Sequence, residues 1–74
     1  MLHTLYIHID EDQTEASMEA VRGALLQLPH VSHVEMSPHI PHDVLVEFEP
    51  YREVPMAVLD TLGRCGLHPD VMSA

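Results

Sequence analysis

"TLYIHIDEDQTEASMEAVRGALLQLP", residues 4–29, holds the change of period that decides the fold. Its first six residues alternate. Leu5, Ile7 and Ile9 fall on one side and Thr4, Tyr6 and His8 on the other, as in a half-buried strand. The period then lengthens. Met18, Val21, Leu25 and Leu28 recur at steps of three and four, with Ala24 beside them, which makes the apolar stripe of an amphipathic helix. Asp12 and Glu15 form a D-x-x-E variant of the capping box, and acids suit the positive end of the helix dipole. Pro29 ends the helix, because the residue before proline resists helical geometry.

Working outward, residues 31–36 read as a second strand with Val34 and Met36 inward. "SPHIPHD", residues 37–43, reads as a proline-punctuated turn. Residues 44–48 alternate again, with Val44, Val46 and Phe48 inward. A second helix is predicted over 54–65. Pro55 suits its first turn and Gly66 the left-handed position after its last. Its buried stripe is Val58, Leu59, Leu62 and Cys65, and a short strand over 68–72 follows. The order strand, helix, strand, strand, helix, strand is that of an α+β, ferredoxin-like βαββαβ sandwich. Right-handed crossovers put both helices on one face of a four-stranded antiparallel sheet, in the order 4-1-3-2, and leave the other face open. Residues 1–74 are expected to form a single domain.

Composition narrows the function. Twelve acids against three basic residues give a formal charge of −9 with histidine neutral. So few cations cannot displace phosphate counterions or hold an anionic membrane, which argues against nucleic acid and membranes and for cations or basic protein surfaces as partners. Seven histidines are an excess for this length. Imidazole titrates near neutrality and is the commonest metal ligand, so association or solubility is expected to change between about pH 7 and 5. One cysteine, Cys65, allows no intrachain disulfide. No basic and apolar leader opens the chain and no stretch reaches membrane-spanning length, so the expected setting is cytoplasmic.

The stretch "MEAVRGALLQLPHVSHV" resembles the first helix and second strand of heavy-metal-associated domains, the copper-chaperone-like modules. Val21, Ala24, Leu25, Leu28, Pro29 and Val31 match the family's V-x-x-A-L-x-x-L-P-G-V pattern, with His30 in place of its glycine. "LDTLGRCGL" resembles the family's second helix end, with Cys65-Gly66-Leu67 where Ala-Gly-Tyr is usual. The resemblance covers nearly the whole chain and implies metal handling. The family's Cys-x-x-Cys pair, counted back from Pro29, falls on Thr14 and Ser17. Hydroxyls do not replace thiolates for a soft ion, so the family's Cu(I) chemistry does not carry over.

The expected topology gathers other donors at that edge of the sheet. His39, His42, Asp43 and His68 join the 10–17 segment there, with His8 close by on the open face. Imidazole and carboxylate suit a divalent transition metal: Zn, Ni, Co or Cu(II). The plainer reading of 37–43 is a solvated polar hairpin tip with no cofactor. Asp10, Glu11 and Asp12 read as a solvated loop complementing the helix dipole. His30 is expected to be favoured in its charged form near the end of the first helix. Met18, Met36 and Met56 read as packing, and Cys65 as a small buried hydrophobe. No glycine-rich phosphate loop or hydrolase motif occurs, and a two-layer domain this small rarely encloses a pocket, so no enzyme is expected. Two functions stay open. One is a small metal-handling protein using His39, His42, Asp43, His8 and His68. The other is a metal-free interaction module whose open sheet face docks a basic partner or forms a homodimer.

Overall fold

A computed structural model describes residues 1–73. The elements are β1 (His3–Ile9), α1 (Glu15–Leu26), β2 (Val31–Ser37), β3 (Ile40–Phe48), α2 (Val54–Arg64) and β4 (Pro69–Ser73). The strands form one antiparallel sheet in the order β2-β3-β1-β4, as the alternation and crossover rules require.

The inward side chains of the strands meet the helices. Leu5, Ile7 and Ile9 of β1 and Val44, Val46 and Phe48 of β3 are buried. Val34 of β2 joins them, capped by Val21 and Leu25 of α1 and by Val54, Val58 and Leu62 of α2. Each such side chain stabilises by about 1.5–3 kcal/mol when fully removed from water. Among the described residues no polar side chain is buried with them.

Four local expectations are corrected. Thr14, not Asp12, caps α1: its Oγ1 accepts the N–H of Ser17 at 3.0 Å. That leaves the Asp12 carboxylate free for another partner. The 37–43 segment is mostly strand. Ser37 pairs with Ile40, so only Pro38 and His39 turn the chain, and β3 starts four residues before the expected 44. Pro41 is tolerated because it lies beyond Asp43, the last β3 residue paired with β1. Cys65 is exposed. Val54, Val58 and Leu62 repeat at steps of four, and α2 stops at Arg64, so Cys65 becomes the C-cap instead of the next rung. Met56 is also exposed.

His30 takes φ +70° and Gly66 φ +82°. Glycine is the usual solution to that backbone geometry, and histidine is one of the few side chains that tolerate it. His30 lies beyond Gln27, the C-cap of α1. Its ring stacks on Tyr51 with centroids 3.8 Å apart, and its Nδ1 stands 3.6 Å from Glu49 Oε1.

Candidate functional site

β1 ends at Ile9 beside the start of β3 and the start of β4. The 10–14 loop leaves that edge for α1. His8 is opposite Asp43 on β3 and Asp70 on β4. Antiparallel register therefore places His8 between Asp43 and Asp70 at one end of the sheet, and the 10–14 loop adds its carboxylates there.

His42 is the best-defined member. It is half-buried, and its Nδ1 lies 2.7 Å from the Ile9 carbonyl oxygen. A carbonyl only accepts, so Nδ1–H is the donor and the tautomer follows. Nε2 lies 2.9 Å from Asp12 Oδ1. In the neutral ring this is a lone pair against a carboxylate oxygen, two acceptors in contact. A proton or another cation between them removes the conflict. The Ile9 carbonyl, followed by the charges of Asp12 and Asp43, accordingly raises the His42 pKa above the ordinary imidazole value.

His8 stacks on His42 with ring centroids 5.7 Å apart and an interplanar angle of 21°. Its Nδ1 is 3.7 Å from Asp43 Oδ1 and its Nε2 is 3.9 Å from Asp10 Oδ1. His68 belongs to a neighbouring pair. Its backbone N–H donates to Glu11 Oε1 at 2.8 Å, and its ring Nδ1 meets Glu11 Oε2. This hydrogen bonding lowers the Glu11 pKa and raises that of His68. The backbone N–H of Asp10 donates to the His68 carbonyl at 3.4 Å and ties the loop to the residue just before β4.

His42, His8 and Asp43 are thus brought together, and His68 lies along the same edge. His39 sits on the two-residue turn, where its N–H donates to Ser37 Oγ at 3.2 Å. It is three extended residues from His42, roughly 10 Å along the chain. Asp10, Glu11 and Asp12 are more than the solvated loop expected of them, since Asp12 faces His42 and Glu11 holds His68. The signal for these pairings is the antiparallel register of β1 with its neighbours, which local motifs do not contain. The donors meet pairwise: among the described residues, no three His, Cys, Asp or Glu side chains form a ready metal-binding set.

Thr14 and Ser17 are otherwise engaged. Thr14 Oγ1 caps α1, and Ser17 Oγ donates to Gln13 Oε1 at 2.6 Å. A soft monovalent ion has no thiolate donor in this loop, so bis-thiolate ligation does not fit the residues present.

Solved structures share the fold. The N-terminal domain of PacS from Synechocystis PCC6803 superposes with a TM-score of 0.79 at 17% identity, covering 96% of this chain and 98% of that one. Oxidized MerP from Ralstonia metallidurans CH34 gives 0.84 at 15% identity, covering 99% and 100%. The copper(I)-loaded first domain of the human copper chaperone for SOD1 gives 0.77 at 22% identity, covering 99% and 96%. The chain therefore has the copper-chaperone-like fold of heavy-metal-associated domains. No family model matches it, and no curated protein matches it in sequence.

Proposed function

We propose that the chain is a small metal-handling protein that takes a divalent transition ion, Zn, Ni, Co or Cu(II), through imidazole and carboxylate. The principal donors are His42 and His8, with Asp12, Asp43 and Asp10 as oxygen donors. His68 is the further ligand that joins when Glu11 releases it. His39 is left out of the set because of its place on the turn.

The observation that carries this reading is the contact between His42 Nε2 and Asp12. Metal-ligating histidines characteristically donate their other ring N–H to a carbonyl or carboxylate, which fixes the ring and makes the free nitrogen more basic. His42 has that arrangement through Ile9. The donors face one another in pairs: His42 Nε2 and Asp12 at 2.9 Å, His8 Nδ1 and Asp43 at 3.7 Å, His8 Nε2 and Asp10 at 3.9 Å. One ion takes a single nitrogen of His8, and so only one of those two carboxylates with it, and gathers a full set only as the exposed side chains close on it. The fold supports the reading more weakly, as the solved neighbours include a copper(I)-loaded chaperone domain. A bound divalent ion would neutralise carboxylates that otherwise repel one another across the edge.

Calorimetric titration of chelator-treated protein with each of the four ions tests this. Binding tighter than millimolar is expected for at least one ion, with at least a tenfold loss in His42→Ala and a smaller one in His8→Ala. Absence of such binding, or equal binding by His42→Ala, overturns the proposal.

A further inference from the structure

The sheet face turned away from the helices is ordered into rows by the strand register. Glu35 is opposite Leu45, Leu45 opposite Tyr6, and Tyr6 opposite Ser73, so one row crosses all four strands. On one side of it lie His33, Glu47 and Thr4. On the other lie Asp43, His8 and Asp70. The apolar groups of this face are uncovered: Tyr6 is 49% exposed, Ile40 56% and Met72 68%. With Leu45 they line an open groove of about 650 Å³ that also takes in Glu35 and Asp43.

The charge around the groove has one sign. None of the four strands contains Lys or Arg. Arg22 and Arg64 lie on the helices, where they pair with Glu19 and Asp60, and Arg52 lies just before α2. The rows carry Glu35, Glu47, Asp43 and Asp70. The exposed apolar strip is small, and the charges around it are acidic, so the surface suits a partner of opposite charge.

We propose that this groove docks a basic amphipathic polypeptide segment of another protein. Its apolar side chains seat on Tyr6, Leu45 and Met72, and its Lys or Arg side chains meet Glu35, Glu47 and Asp70. The aromatic ring supplies area at low entropic cost, and the thioether of Met72 adapts to varied side chains. Charge complementarity selects the occupant. A second copy would bring the same carboxylates against these in a chain of net charge −9, and nucleic acid is repelled outright. The carboxylates hasten encounter and suppress wrong partners, so docking weakens as salt screens them.

The proposal is independent of metal and is tested with chelator present. Isotope-labelled full chain is titrated with a short synthetic peptide alternating Lys and Leu, and with Lys-Ser and Glu-Leu controls. The Lys-Leu peptide is expected to shift the amide resonances of Tyr6, Leu45 and Met72 and to saturate. Either control should bind at least tenfold more weakly. Tyr6→Ser and the double variant Glu35→Lys with Glu47→Lys should each lose at least tenfold, while Cys65→Ser, exposed at the end of α2, should bind as the wild type does. Should Tyr6→Ser not fold, the double variant decides. Absence of binding, equal binding of Lys-Ser, or shifts centred on the helices overturns the proposal. So does a concentration-dependent dimer that buries Tyr6, since the face would then belong to a second copy.

Discussion

His42 Nε2 faces Asp12 Oδ1 at 2.9 Å, while Nδ1 of the same ring is held by the Ile9 carbonyl. Register fixes the ring, because β3 lays residue 42 beside the end of β1 and the loop that leaves β1 returns a carboxylate over it. The sign of its pH dependence follows. A histidine whose pKa is raised by folding adds stability that is fully present below its unfolded value of about 6.5. That stability is lost as pH rises through the higher folded value. Metal-free protein should therefore lose stability between mildly acidic and alkaline pH, and His42→Gln should flatten that part of the profile. Urea midpoints across the range check this, and a ring resonance titrating at or below the ordinary imidazole value would contradict it.

The Glu11–His68 pair has two limits. Folding lowers the Glu11 pKa, so its contribution is present above the ordinary carboxylate value and lost as pH falls through the lowered one. His68 is raised, so its contribution is lost as pH rises through its folded value. Together they place the pair's full effect at mildly acidic pH. Glu11→Gln should bring the His68 titration back toward that of a free imidazole. An unchanged His68 titration in that variant would show that Glu11 is not the cause.

The two candidate caps of α1 separate by mutation. Thr14→Ala removes the acceptor for the Ser17 N–H and should cost about 1 kcal/mol. Asp12→Asn should cost less, because Asp12 does not cap the helix, but it should lower the His42 pKa. Chemical denaturation and a ring titration of both variants read the two effects. The reverse pattern would restore Asp12 as the cap.

His30 opposes a backbone cost to a stacking gain. Its left-handed φ costs a typical side chain roughly 1–2 kcal/mol, and an aromatic stack of this kind returns about 0.5–1.5 kcal/mol. His30→Ala keeps the first and loses the second, so it should be destabilised by about 1 kcal/mol. His30→Gly loses the stack and also the strain, so it should stay within about 1 kcal/mol of wild type and above His30→Ala. Equal destabilisation of the two variants would remove φ as the reason the related pattern has glycine there.

The order of elements, the sheet topology and most of the core were legible in the sequence, because they depend on periods. Leu5, Ile7 and Ile9 alternate, and Val21 and Leu25 keep helical spacing, so a local window contains the information that buries them. Cys65 shows the limit of that reasoning: the stripe of α2 pointed to it, but the helix ended first.

Only the tertiary structure decided what stands beside what. Pro38 and Pro41 make 37–43 look like a turn, and β3 claims its last four residues only because β2 is there to pair with Ile40. The partners of His42, His8 and His68 come from the 10–12 loop and from neighbouring strands, at contacts that no periodicity encodes. The row Glu35, Leu45, Tyr6 and Ser73 likewise exists only through register. The pattern that predicts burial lies in a residue and its near neighbours in sequence. A site is a property of distances between segments, and folding the sheet sets those distances.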